Sequence, residues 1–393
     1  MTLLARSGLR SILNVSKSFS HTISSGSSVI ARPKFSRASI SASKQCTGTA
    51  RDVEINALTD VKRIPDDIKT VLLVPNDRIN VITDYAFSTK GKMLRPLLVM
   101  LMAACANGHL DYSLISSQSQ NSKVKFSNRQ LESKVNDSQH AIAVITEMIH
   151  TASLIHDDLI DQAETRRKRL ATYKKFNSKN AILVGNVMLL KASELLARLD
   201  NAEVVSVLST VLDDLIRGEF MQLASNSDEN YRFHLYLEKT YKKTASLMAN
   251  SCKAVTILSG VGTSLVESAY NFGRHLGMAF QLLDDVLDFT GHENKLGKPA
   301  GGSDLQLGLA TGPVLFAAQQ IPELEKMLDT GFKTPEDQKR AVKYVRESNG
   351  IGQTRILAEF HFQEAQRQLG HFKASDSREC LLQVAATTLQ RSF

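Results

Sequence analysis

Ten segments of this 393-residue chain repeat their apolar residues at helical pitch, and none alternates as a strand would. They run over roughly 65–88, 95–107, 138–162, 179–197, 202–225, 236–260, 264–290, 310–320, 335–347 and 353–369. Apolar residues recurring at three- and four-residue spacing give each helix one stripe to bury, so the expected fold is all-α. A helical domain of about 340 residues is large for a single core. Ten or so helices standing around a central cavity reach that size.

The net charge of +8 suggests a nucleic-acid binder until it is located. Residues 1–51 hold eight of the 48 basic residues (Arg6, Arg10, Lys17, Arg32, Lys34, Arg37, Lys44 and Arg51) and none of the 40 acidic ones. The remainder carries 40 of each sign, and its neutrality gives no reason to expect a nucleic-acid partner. At helical pitch Arg6, Arg10 and Lys17 share a sector, with Leu4, Leu9, Ile12 and Val15 mostly opposite. A serine-rich, acid-free leader of this kind has the composition of a mitochondrial transit peptide, the alternative being a disordered basic tail. Residues 1–50 are read as the leader and 51–393 as the folded domain. Within that domain 113–138, dense in Ser, Gln, Asn and Lys, reads as a mobile loop. No run of 18 uninterrupted apolar residues is present, so no membrane-spanning helix is expected. Cys46, Cys105, Cys252 and Cys380 show no paired spacing, which suits a reducing compartment and argues against a disulfide framework or zinc.

Two acidic clusters carry the chemistry. Asp157-Asp158-Leu159-Ile160-Asp161 reappears in outline as Asp284-Asp285-Val286-Leu287-Asp288. Positions four apart on a helix lie roughly 40° apart around its axis, so Asp157 and Asp161 share a face, as do Asp284 and Asp288. A lone cluster of this kind is most often a solvated acidic turn. Here each emerges from an apolar stretch, Met148–Ile155 and Leu276–Leu283, which sets the carboxylates at the end of a buried stripe. Carboxylate is the ligand Mg²⁺ prefers, and Mg²⁺ is usually held by one or two carboxylates together with substrate phosphates. Two such turns facing each other would grip a diphosphate through bridging ions.

Several cations could share that anion. Lys92 and Arg95, in Gly91-Lys92-Met93-Leu94-Arg95-Pro96, stand three apart at an expected helix start, where free N–H groups already favour anions. Arg166 and Arg167 follow the first cluster and, on a continuing helix, would point in different directions; a plain basic surface run is the alternative. Lys243-Thr244 sets an ammonium beside a hydroxyl, and Gln281 precedes the second cluster by three residues. Lys298 sits in a glycine-hinged segment, Gly297 to Gly302, that reads as a closing lid. His150 lies two turns before Asp157 on the same face. A histidine in such a place is ordinarily a core residue, a reading that His156 fits better.

With these motifs in hand, the chain resembles the trans-polyprenyl diphosphate synthase family from about residue 65 to the C-terminus. The residues that carry the resemblance are Gly91-Lys92-x-x-Arg95-Pro96, the first acidic motif with its arginine pair, and Gly218-Glu219-Phe220-Met221-Gln222. Lys243-Thr244, Phe280-Gln281-x-x-Asp284-Asp285-x-x-Asp288 and Gly297-Lys298-Pro299 complete the set. Tyr236–Val255 and Gly308–Phe316 resemble the catalytic subunit of mitochondrial decaprenyl/solanesyl diphosphate synthases, which make the ubiquinone side chain. The resemblance implies an isoprenoid-synthase-type helical bundle around a central cavity. It implies Mg²⁺ held by Asp157, Asp158, Asp161, Asp284 and Asp288, with Asp285 and Lys243 also among the catalytic groups. Arg166, Lys243, Thr244, Gln281 and Lys298 would contact an allylic diphosphate, farnesyl or geranylgeranyl. Lys92, Arg95, His150 and Arg167 would hold isopentenyl diphosphate. Ala152 and Ser153, one turn before the first motif, would face the growing chain, and their small size implies a product longer than about thirty carbons. A homodimer or a heteromer with a sister subunit, a matrix location associated with the inner membrane, and peripheral membrane contact by way of a greasy product are expected on the same ground.

The chain departs from the family pattern in places. Lys168 stands where a glycine usually follows the arginine pair, Ala171 where a threonine is common, and Asn186 where an aspartate usually follows Gly185. The lid is one residue longer, and Leu309 occupies the place of a frequent lysine. These departures keep open a weakly active or non-catalytic subunit of a heteromeric synthase. A class I terpene cyclase is the other alternative; it needs no second diphosphate site, so Lys92, Arg95 and Arg167 speak against it.

Overall fold

Pro75 and Asn76 divide the first expected helix in two. A residue before proline is driven out of helical geometry, and Asn76 then caps the next helix, its side-chain oxygen accepting the N–H groups of Arg78 and Ile79. The computed structural model describes residues 48–88, 91–111, 122–126, 135–222, 229–290 and 303–390. Most of the expected leader therefore lies outside the described residues, and Thr47–Phe393 form one compact unit.

After α1 (Gly48–Leu72) and α2 (Asp77–Phe87) come α3 (Leu94–Asn107) and α4 (Asp137–Ile160). A hairpin of β1 (Thr165–Arg166) and β2 (Arg169–Leu170) follows, then the short α5 (Thr172–Phe176). α6 (Ser178–Ala197), α7 (Ala202–Gln222) and α8 (Glu229–Thr240) lead to a π-helical turn, Tyr241–Ala245, that runs into α9 (Ser246–Ser259). α10 (Thr263–Thr290) is followed by α11 (Ser303–Gln306), α12 (Gly312–Ala318) and α13 (Pro322–Thr330). α14 (Pro335–Glu347), α15 (Gly350–Leu369) and α16 (Asp376–Gln390) complete the chain. The all-α expectation holds, with a two-residue-per-strand hairpin as the sole sheet among the described residues.

α3, α4, α9 and α10 form the centre. α3 packs on α4 and α9, α9 on α10, and α10 on α15, while α6 covers α4. Eleven of the fourteen residues of α3 are buried, the pattern of a helix with neighbours on all sides. One large core joins α1, α3, α4, α6, α9 and α16. A smaller one gathers Phe289, Leu305, Val314, Leu324, Phe332 and Val345 below the end of α10. α6 is the one described helix long and apolar enough to cross a membrane by length and composition, and it packs one face on α4 with 39 % of its most apolar stretch buried.

The ends of the four central helices alternate. α3 starts and α4 ends at one end, where α9 also starts and α10 ends; the opposite end is pinned by a buried polar knot. Gln139, in the capping box of α4, exchanges hydrogen bonds with Asn107 at the end of α3 (2.9 and 3.0 Å). It also donates to the Ser259 hydroxyl at the end of α9 (2.9 Å). Buried amides with all partners in place fix register, because breaking one strands the others. At the near end α10 presses on the π-helical turn: a Cβ at Gly277 would sit 2.6 Å from Ala245 Cα.

Two expectations need correction. Arg166 and Arg167 are not on a continuing helix. α4 ends at Ile160 with Asp161 as its cap, and the chain turns back in the hairpin, Thr165 pairing with Leu170 and Arg166 with Arg169. The loop expected over 113–138 stops short of 138, since α4 begins at Asp137. Val124 and Val135 within that span are buried; 112–121 and 127–134 lie outside the described residues.

The hairpin turn places Arg167 and Lys168 at φ of 52° and 64°. A two-residue turn with both residues left-handed favours Asn-Gly, and a left-handed side chain costs roughly 1–2 kcal/mol over glycine. Lys168→Gly is expected to raise stability by about 0.5–1 kcal/mol after glycine's larger unfolded-state entropy is counted. A urea midpoint that fails to rise would refute the strain assigned to this turn.

Candidate active site

One helical stripe builds a wall of the site. Glu147, His150, Leu154, Asp157 and Asp161, at spacings of three and four along α4 and its cap, all line a cavity of about 890 Å³. Arg95 with Lys92 at the start of α3 forms a second wall, and Arg166, Arg167 and Lys168 of the hairpin a third. Tyr236, Lys239, Lys243 and Thr244 enter from α8 and the π-helical turn. Phe280, Gln281, Asp284 and Asp285 come from α10, with Asp304 and Leu309 beyond it.

The carboxylates of this cavity are held against their preference for water. Burial pushes Asp157 up to about 7; Lys243 pulls it down, while Glu219 and Asp161 push it further up. Asp161 is raised from the same first cause, burial. Asp285 is 3 % exposed and pushed up to about 6 by burial, even though it accepts hydrogen bonds from Tyr236 Oη at 2.5 Å and Gln281 Nε2 at 2.9 Å. Gln281 Oε1 in turn accepts from the Thr244 hydroxyl at 2.9 Å. Thr244, Gln281 and Asp285 are therefore one hydrogen-bonded chain that fixes the face α10 presents.

The cations are equally constrained. Arg95 donates to His150 Nε2 at 3.1 Å, which makes that nitrogen the acceptor. Burial, then Arg95, Arg167 and Arg166, keep the imidazole neutral by lowering its pKa well below the usual range. Burial also lowers the Arg95 guanidinium, with Glu147 and Asp284 opposing. Arg166 pairs with Asp158, donating from Nε at 2.8 Å. Lys243 pairs with Glu219 of α7, and the two helices meet closely there: a Cβ at Gly218 would sit 2.8 Å from Lys243 Cγ.

Asp157, Asp161, Asp284, Asp285, Lys92, Arg95, His150, Arg166, Arg167, Lys243, Thr244, Gln281 and Ser153 all line this same cavity. Three predicted residues do not. Asp158 is 3 % exposed, turned about 100° from Asp157, and engaged by Arg166, so it positions an arginine and is not offered to the cavity. Asp288 lies in the last turn of α10 and accepts the Asp304 N–H at 3.3 Å. Ala152 is fully buried in the large core, whereas Ser153 reaches the cavity wall. Lys298 and the lid glycines lie outside the described residues. Among the described residues no three carboxylates or imidazoles converge tightly enough to hold an ion alone. Mg²⁺ does not need that, since phosphate oxygens supply the remaining ligands. Asp157 and Asp161, both destabilised as anions by burial and then by Glu219, fit a cation brought in with an anionic substrate.

The polyprenyl synthetase family model matches residues 76–347. The chain belongs to the polyprenyl synthetase family. It is 46 % identical over 332 residues to the all trans-polyprenyl-diphosphate synthase of Homo sapiens, covering 84 % of this chain and 75 % of that one. It is 39 % identical over 362 residues to a probable mitochondrial hexaprenyl pyrophosphate synthase of Neurospora crassa, covering 85 % and 80 %. A polyprenyl synthase of Caulobacter crescentus, solved in complex with calcium and isoprenyl diphosphate, superposes with a TM-score of 0.73 at 28 % identity, covering 89 % of this chain and all of that one.

The departures from the polyprenyl synthetase pattern now have places. Lys168 takes the left-handed turn position where glycine would be unstrained, and Ala171 caps α5 with no side-chain hydrogen bond, a role threonine fills. Asn186 is exposed on α6, away from the cavity, and Leu309 lines it. Glu147, Tyr236, Lys239 and Asp304 were not foreseen. Glu147 alone left a trace, as a charge inside an apolar helical stretch.

Glu147 is 5 % exposed and burial pushes it from 4.5 up to about 7, with Arg95 and Arg167 pulling it down. Between those values the folded protein keeps a proton that the unfolded chain has released. The stability tied to this group is therefore present below about pH 4.5 and lost as pH rises through about 7. Relative to Glu147→Gln, wild-type stability is expected to fall across that window by up to about 1.4 kcal/mol per pH unit. Parallel stability-against-pH curves for the two proteins would contradict this.

Proposed function

We propose that the chain is a long-chain trans-polyprenyl diphosphate synthase, a prenyltransferase that adds isopentenyl diphosphate head-to-tail to an allylic diphosphate. The single observation that carries this reading is one cavity in which two acidic helix turns share space with two separate sets of cations and hydrogen-bonding groups. Lys92, Arg95 and Arg167 with neutral His150 stand at the start of α3 and the hairpin. Arg166, Lys243, Thr244 and Gln281 stand nearer the acidic turns, and Lys298 would join them. Two sets fit two diphosphates, which a cyclase would not need. The same set of intact groups argues against a purely structural subunit.

The first set would hold the isopentenyl diphosphate and the second the allylic one. The allylic C1–O bond breaks and its electron pair leaves with the diphosphate. The isopentenyl double bond then forms the new C–C bond at C1, and a proton is lost to the departed diphosphate. Groups fixed in advance around a developing charge act without reorganisation, and the Thr244–Gln281–Asp285 chain and the Arg166–Asp158 pair provide that fixity. A divalent ion, read as Mg²⁺, would be held by Asp157, Asp161 and Asp284 together with diphosphate oxygens and would supply charge to the leaving group. The calcium that accompanies isoprenyl diphosphate in the Caulobacter complex supports a divalent ion in this role.

Farnesyl or geranylgeranyl diphosphate is the proposed primer and the ubiquinone side chain the destination. The basic leader and the mitochondrial relative support a mitochondrial location, in the matrix and associated with the inner membrane through a greasy product. Exposed Leu183, Leu190, Ile216 and Phe220 on α6 and α7 support association with a second copy or a sister subunit.

Incubation of the purified protein, alone and with a candidate partner subunit, with farnesyl diphosphate, labelled isopentenyl diphosphate and Mg²⁺ tests the reading. Polyprenyl chains longer than about thirty carbons are expected; no elongation under either condition would overturn it. Asp284→Asn should lower turnover about 100-fold or more with the fold retained. Ser153→Phe should shorten the product, and an unchanged length distribution would remove Ser153 from the path. Ala152→Phe is the poorer probe, since it overpacks the core.

A further inference from the structure

Lys239 sits in the last turn of α8, three residues after Tyr236 and four before Lys243 across the π-helical turn. It lines the same cavity as both. Neighbouring lysines are spoken for: Lys243 pairs with Glu219, and Lys242 with Asp214 at 2.8 Å. Among the described residues Lys239 forms no ion pair, and the carboxylates nearest it in electrostatic effect are Asp285, then Asp304 and Glu219. Burial is the largest influence on its ammonium and lowers its pKa. A half-buried cation without a bonded partner is unfavourable by itself, and a packing role at that place would be met by an uncharged chain of the same length. Lys239 thus brings a cation to the wall of a space where an anion is expected. Beyond the second acidic turn the chain carries Leu309 on the same cavity, where the family pattern has a lysine.

We propose that Lys239 contacts the allylic diphosphate from the side of the second acidic turn and supplies there the positive charge that Leu309 does not. This rests on the reading of the cavity as a prenyl transfer site. When the C1–O bond breaks, the electron pair moves onto the diphosphate oxygen, and an ammonium already in place stabilises that charge more than it stabilises the intact ester. Lys239 thereby becomes a further catalytic residue on α8, one turn from Lys243.

The test compares wild type, Lys239→Met, Lys239→Arg and the double variant Lys239→Met/Leu309→Lys. Two quantities are read: the affinity for inorganic pyrophosphate in the presence of Mg²⁺, and kcat/KM for farnesyl diphosphate in addition of the first isopentenyl unit. Lys239→Met should lower both by about 100-fold while leaving the KM for isopentenyl diphosphate unchanged. Lys239→Arg should keep most of both, and the double variant should recover part of the pyrophosphate affinity from the other wall. Unchanged pyrophosphate affinity in Lys239→Met would overturn the proposal. So would a loss that strikes both substrates equally and is not recovered by Leu309→Lys, the behaviour of a structural residue. Should Lys239→Met fail to fold, Lys239→Gln is measured in the same way with the same deciding outcomes. If wild type adds no isopentenyl unit at all, the prenyl transfer reading fails, and the pyrophosphate measurement still decides whether Lys239 holds the anion.

Discussion

Burial of carboxylates, with their mutual repulsion added to it, is the constraint the rest of the structure answers. Asp157, Asp161 and Asp285 are all raised by burial, and Arg95 and Lys239 are lowered by it. Charges of both signs are thus gathered where water screens them less, and at such sites each pairwise interaction is stronger than at a surface. The body beyond the leader is balanced in charge, so this is local concentration and not a property of the whole surface. An anion arriving with a divalent cation would relieve both sets at once.

Holding that arrangement requires the helices to be fixed elsewhere. The Asn107–Gln139–Ser259 knot ties three central helices at the end remote from the cavity, and the buried faces of α3 and α4 leave them no freedom to rotate. At the cavity end regular helix gives way to less regular backbone. Met93 and the Arg167–Lys168 turn are left-handed, and a π-helical turn carries Lys243 and Thr244. Departures of this kind cost free energy and are kept where they aim side chains. The left-handed turn is what sends Arg166 to Asp158 while Arg167 enters the cavity wall beside Gly91.

Much of this was legible beforehand because helical periodicity and acid spacing are local. The stripe ending in Asp157 and the one ending in Asp284 could be read from the apolar residues before each, and both reach the same cavity. The exceptions are instructive. Asp158 and Ala152 sit one residue from cavity positions, and a difference of about 100° around the axis decides whether a side chain meets solvent or core; neighbours elsewhere in the chain settle that phase. Arg166 and Arg167 are expected on helix, yet α4 ends at Ile160 and the hairpin that follows is only two residues per strand, too short for any alternation to show. Pro75 and Asn76 did mark the break between α1 and α2, but the periodicity on either side concealed it. Lys239 and Tyr236 gave no local signal, because their meaning comes from residues far along the chain, such as Asp285. Shared ancestry supplied what local pattern could not, namely that this arrangement belongs to prenyl transfer.

The most direct test is calorimetric titration of the protein with inorganic pyrophosphate in Mg²⁺ and in chelator, paired with titration of Mg²⁺ with and without pyrophosphate. If the acidic turns grip the anion through divalent ions, each ligand must tighten the other by the same factor, and pyrophosphate affinity should fall by at least about tenfold in chelator. Equal pyrophosphate affinity with and without Mg²⁺ would mean that the cations alone hold the anion, and the central role given to the paired aspartates would be wrong.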